Sequence, residues 1–109
     1  MTDLQLGQFE QAVLIAVLRE GAAAFALEVR RALEVDSGRP VSRGAFYTTV
    51  ERLKRKGLLT WETVRPEGES RATMQRRFSV TPAGLAALRD AKRFLEARCA
   101  SLEQVLGES

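Results

Sequence analysis

The chain has 109 residues, 45% of them hydrophobic and 28% charged, with 17 basic and 14 acidic side chains. That size suits one soluble globular domain burying about two-thirds of its unfolded surface, and it excludes a second full domain. With no histidine and one cysteine, an intramolecular disulfide, a His/Cys zinc site and His-based nucleophilic catalysis are all excluded. The sequence therefore reads as a non-enzyme, without metal or cofactor. No apolar run reaches the roughly 18 residues of a membrane span. The opening MTDLQLGQFEQ lacks the basic region of a secretory signal, so a cytoplasmic location and no membrane partner are expected.

Charge is unevenly distributed. Residues 1–36 carry three basic and six acidic side chains, whereas residues 37–80 carry ten basic and four acidic ones, and residues 81–109 are balanced. A concentrated basic middle is the electrostatic footprint of a nucleic-acid binder, though a solvated basic face would carry the same charge. Local organisation has to decide between them.

In chain order, Leu6, Phe9, Val13, Leu14, Val17 and Leu18 recur at helical spacing up to Gly21. A second helical pattern runs through Phe25, Val29, Ala32 and Leu33, and Asp36 to Pro40 reads as a loop. Ser42 is a good N-cap for a third helix, with Phe46, Val50 and Leu53 on one face and Gly57 as its stop. Its opposite face carries Gly44, Thr48, Glu51 and Arg55, flanked by Tyr47 and Arg52. Leu58 to Val64 and Met74 to Val80 read as strands, joined by a polar tip with Arg65 and Arg71 at its ends. Thr81-Pro82 starts a last helix running to about Leu106, with Leu88, Leu95 and Leu102 seven residues apart. That stripe extends farther than so small a domain needs, about 37 Å at 1.5 Å per residue, and predicts a partner chain along it.

The expected fold is mostly α with a small β-hairpin wing: a winged helix-turn-helix over residues 1–80, and a C-terminal dimerisation helix over 81–109. A recognition helix in the major groove would use Ser42, Arg43, Gly44, Tyr47, Thr48, Arg52 and Arg55 on bases and phosphates, with Arg65 and Arg71 from the wing. The dimer seam would be built from Leu6, Phe9, Val13, Leu88, Leu95, Cys99, Leu102 and Leu106. Trp61 suits packing under the hairpin, and stacking on a planar ligand is the other reading. Cys99 suits a small buried hydrophobe.

The segments GAFYTTVERLKRKGLL (44–59), FSVTPAGLAAL (78–88) and LGQFEQAVLIAVL (6–18) resemble the recognition helix, final strand with following helix, and first helix of PadR-type transcriptional regulators. The resemblance spans residues 6–88, with matching spacing between the three segments. It implies a homodimeric repressor of a pseudo-palindromic double-stranded operator, with Tyr47 on operator phosphate and a small-molecule effector of unassigned chemistry. The single helix after the wing is similar to the short subclass of that family. A winged-helix protein-interaction module that never touches DNA is the alternative reading, suggested by the acidic first third and the long apolar helix.

Overall fold

The computed structural model of the protein describes residues 6–65 and 74–107. Helix α1 spans Gln8–Glu20. The residue before it, Gly7, has no side chain to cap the helix, and Glu10 ties the entry from the other direction by accepting the Gly7 N–H on Oε1 at 2.9 Å. Val13, Leu14, Ala16 and Val17 form its buried face. The helix closes at Gly21, and a single 3-10 turn covers Gly21–Ala23.

The next two residues depart from the expected helical pattern. Phe78 donates its N–H to the Ala24 carbonyl at 2.9 Å, and Phe25 bridges Arg77 in antiparallel fashion. Phe25 is therefore an extended N-cap residue, and α2 begins one residue later, spanning Ala26–Ser37. The Ala24 carbonyl finds its partner on a sheet edge, while the Phe25 N–H bonds the Ala23 carbonyl at 2.8 Å and the Phe25 carbonyl accepts the first bond of α2 from Val29, which outcompetes an extra half-turn of helix. Val29 and Leu33 are the buried positions of α2, and Gly38 ends it.

Helix α3 spans Arg43–Arg55, and Ser42 caps it as expected, its Oγ accepting the Ala45 N–H at 3.0 Å. Phe46, Thr49, Val50 and Leu53 face inward. Gly57 follows the last turn at φ 77°, a left-handed geometry that favours glycine, and redirects the chain into the hairpin.

Strands β1 (Leu59–Val64) and β2 (Gln75–Val80) pair antiparallel, with Leu59 opposite Val80, Trp61 opposite Phe78 and Thr63 opposite Arg76. Those six positions share one face of the sheet, because side chains alternate along a strand. Leu59 and Phe78 are buried and Trp61 and Val80 half-buried, so this face closes onto the helices. Phe78 packs edge-on against both Phe46 and Trp61, with ring centroids 5.8 Å apart in each pair.

Helix α4 spans Pro82–Leu106. Thr81 anchors its start three ways: Oγ1 accepts the Gly84 N–H at 3.0 Å and donates to the Gly57 carbonyl at 2.7 Å, and its own N–H reaches the Leu58 carbonyl at 3.1 Å. Gly84 is buried in this seat, and a Cβ there would lie 2.2 Å from the Leu58 carbonyl oxygen and 2.7 Å from Val80 Cγ1. Leu85, Ala87, Leu88 and Ala91 are half-buried, whereas every residue from 92 to 107 is exposed. The helix projects from the body, which accounts for extents of 59 × 34 × 23 Å. The core lies between α1, α2, α3 and the hairpin, centred on Leu14, Val29, Phe46, Val50, Leu53 and Phe78.

Candidate nucleic-acid interface

The turn between α2 and α3 is held from both sides. Glu34 accepts the Val41 N–H at 2.8 Å, and Arg30 donates to the Val41 carbonyl at 3.1 Å. Val41 is buried, so without these two side chains its backbone would lose hydrogen bonds out of water. The pair fixes the entry of the chain into α3, and Ser42 then caps the helix. Neither residue carried a signal in the sequence, because both look like ordinary solvated charges of an amphipathic helix.

The outward face of α3 has the composition expected of it. Ser42, Arg43, Gly44, Thr48, Arg52 and Arg55 are all exposed, and a Cβ at Gly44 would meet nothing within 4 Å. At 100° per residue, Gly44, Thr48, Glu51 and Arg55 fall within about 60° of arc, with Arg43 and Tyr47 toward the hairpin and Arg52 toward α1. Tyr47 is half-buried, its ring edge-on to Phe46 at 5.3 Å and 5.8 Å from the Arg43 guanidinium. That packing leaves the ring few rotamers. Arg43, Arg52 and Arg55 make no ion pair with any described residue, so their guanidinium groups stay open to solvent or to a ligand.

Other members of the basic middle are already engaged. Lys56 bonds both oxygens of Glu10, at 2.9 and 3.1 Å, tying the end of α3 to the start of α1. Burial raises the pKa of the Glu10 carboxyl, but the Gly7 N–H, the Lys56 ammonium and the Arg52 charge outweigh it and hold the group below the ordinary value. Arg77 pairs with Glu62 across the hairpin, and Arg76 pairs with Glu51 at 3.5 Å. A cleft of about 670 Å³ opens between α2, α3 and β2, where Arg30, Arg43, Tyr47, Glu51 and Arg76 meet Leu27 and Met74.

Arg65 is exposed at the end of β1. Arg71 and the hairpin tip lie outside the described residues. Trp61 does not line the cleft: its ring packs on Phe78, with Lys54 at 4.6 Å and Arg76 at 4.4 Å from its centroid. The contacts of the ring are thus one aromatic neighbour and two cations.

The expected dimer residues divide. Val13 is wholly buried in the chain's own core, so it has no surface to offer a partner. The helical repeat could not tell which flank of α1 meets α2 and α3. Leu6, Phe9 and Leu88 are half-buried against that core. Leu95, Leu102 and Leu106 stand 55%, 55% and 59% exposed, and Cys99 is exposed rather than buried. Phe94, Ile15 and Leu18 are further exposed apolar residues that the heptad leucines did not single out. Among the described residues no three of Cys, Asp and Glu converge to hold a metal ion, and no helix is long and apolar enough to cross a membrane.

No protein-family model and no curated protein matches the chain. Solved structures do. A PadR-like transcription factor from Bacteroides fragilis superposes with a TM-score of 0.73 at 19% identity, covering 91% of this chain and 90% of that one. RosR of H. salinarum gives 0.66 at 22% identity over 94% and 91% of the two chains. BpsR of Bordetella bronchiseptica, whose DNA binding is regulated by 6-hydroxynicotinic acid, gives 0.65 at 22% identity over 94% and 69%. The chain thus has the winged-helix fold of PadR-like and related transcription regulators, mostly helical with a two-stranded wing and a long C-terminal helix.

Proposed function

We propose that the protein is a sequence-specific, DNA-binding transcriptional regulator, acting as a two-fold dimer that represses from a pseudo-palindromic operator. The observation that carries this reading is the outward face of α3. A capped helix presents Gly44, Thr48 and Arg55 with Arg43 and Arg52 on its flanks, and these arginines have no carboxylate partner among the described residues. The first turn can approach base edges closely at Gly44, while Ser42, Tyr47 and the arginines supply donors for phosphate oxygens. Arg65, and Arg71 beyond the described residues, would extend the contact along the neighbouring backbone.

The dimer half of the proposal is supported by α4. Phe94, Leu95, Leu102, Val105 and Leu106 leave a long apolar surface in water, which a soluble chain covers with a partner. A second copy offers the same stripe, and two-fold pairing would set two recognition helices about one DNA turn, roughly 34–36 Å, apart. The same surface also favours a second reading, in which a different protein sits on α4 and no DNA is bound.

Fluorescence anisotropy against duplex from the gene's own upstream region, with a scrambled duplex as control and a salt series, tests the proposal. Much tighter binding to the upstream duplex, with a steep loss of affinity as salt rises, is the expected result. No binding to either duplex at low salt, with a stable heteromeric partner in a pull-down, would favour the protein-interaction reading.

A further inference from the structure

Glu51 is the one acidic residue in α3, and it sits amid the face just assigned to DNA, beside Gly44, Thr48 and Arg55. A carboxylate facing a polyanion is costly, and nothing in the packing requires it, because Glu51 is exposed. Its partner is Arg76 on β2, whose Nη1 lies 3.5 Å from Glu51 Oε2. Arg76 also lies 4.4 Å from the centre of the Trp61 ring and lines the cleft that holds Arg43 and Tyr47. Both members of the ion pair are about half exposed, with side-chain exposures of 43% and 48%, so the bond is weak and easily exchanged.

We propose that Glu51 is a specificity-determining residue that reads the exocyclic amino group of a cytosine in the major groove, and that Arg76 neutralises it until it does. The inference rests on the DNA-binding reading above. A carboxylate is the acceptor suited to cytosine N4. Opposite thymine O4 or guanine O6 it faces another acceptor, keeps Arg76 as its partner, and withholds that arginine from phosphate. Opposite cytosine it accepts the amine, and Arg76, resting on Trp61, is released to a backbone phosphate. Cytosine therefore brings two contacts, and a base that presents only acceptors there, guanine or thymine, forfeits both.

The test is selection of binding sites from a randomised duplex library by the full chain and by Glu51→Ala, with affinity for one scrambled duplex measured across a salt series. Thermal melting checks that the exposed substitution leaves the fold intact. The wild-type motif should contain one cytosine per half-site that Glu51→Ala no longer selects, a loss of about tenfold in discrimination at that position alone. The variant should bind the scrambled duplex several-fold tighter. Its plot of log affinity against log salt should steepen by about 0.9, as Arg76 becomes free to take a phosphate. Adding Arg76→Gln should return that slope to the wild-type value. An unchanged motif in Glu51→Ala would overturn the proposal while leaving DNA binding intact, whatever happens to the scrambled duplex. Failure of the wild type to enrich any sequence or bind the scrambled duplex at low salt would overturn the DNA reading itself.

Discussion

Two exposed helix faces dominate this molecule, and they differ in what water does to them. The outward face of α3 carries Arg43, Gly44, Thr48, Arg52 and Arg55, all stable as solvated groups. That of α4 carries Phe94, Leu95, Leu102, Val105 and Leu106, more than half exposed, so that covering each would contribute about 1–2 kcal/mol. The first face can wait for a ligand indefinitely, whereas the second is satisfied only when covered. Exposure alone does not distinguish a binding surface from an assembly surface; the hydration chemistry of the exposed groups does.

Separating the two faces gives the largest expected effect. Leu95→Glu with Leu102→Glu should weaken self-association by about a thousandfold, because two carboxylates would have to be buried in an apolar seam. Sedimentation velocity should show a monomer, with the helical circular dichroism of the domain largely retained. Half-site contact by α3 would persist, but high-affinity binding to a two-fold operator would be lost. A variant that stays dimeric would assign the seam elsewhere, with Ile15 and Leu18 on α1 the next surface to probe.

The seat of α4 should give the next largest effect. A methyl at Gly84 collides with the Leu58 carbonyl, which belongs to the backbone and cannot swing aside. Gly84→Ala should therefore cost about 1–3 kcal/mol by overpacking, or roughly 4–8 °C in melting temperature per kcal/mol for a domain of this size. Because this seat sets how α4 leaves the wing, operator affinity should fall more than the stability loss explains. A melting curve identical to the wild type would show that the turn at Leu58 yields freely.

The smallest effect concerns the anchor of α3 on α1. The Glu10 carboxyl is held below its ordinary pKa in the fold, so its stabilisation is present above the unfolded-state value of about 4.3. It is lost as pH falls through the lower, folded value. Chemical denaturation at successive pH values should show stability declining in that acid range, and Glu10→Gln should flatten the decline. Should the two proteins show parallel pH profiles, the Glu10–Lys56 contact would carry no net stability.

Much of this architecture was legible in single residues. Ser42 and Thr81 act as the N-caps their chemistry predicts, Gly57 redirects the chain after α3, and α4 ends at Leu106. These are local decisions, made within one turn of helix by one side chain and its nearest backbone. The polar outward face of α3 was legible for a similar reason, since helical periodicity places Gly44, Thr48 and Arg55 together without reference to the rest of the chain. Val13, Cys99 and Phe25 could not be read this way. Periodicity identifies an apolar stripe, but not whether its own chain or another covers it, and no spacing rule foresees an edge pairing between Phe25 and Arg77.

The sequence by itself determined the order of elements, most of their ends, and the polarity of each helix face, because capping, periodicity and strand alternation act over a few residues. Only the tertiary structure decided which charges are spent and which are free. Glu10 meets Lys56 across 46 positions of sequence, and Arg76 meets Glu51 across 25. Such pairings depend on how the helices and the wing pack, and that packing separates the arginines held by carboxylates from those turned outward.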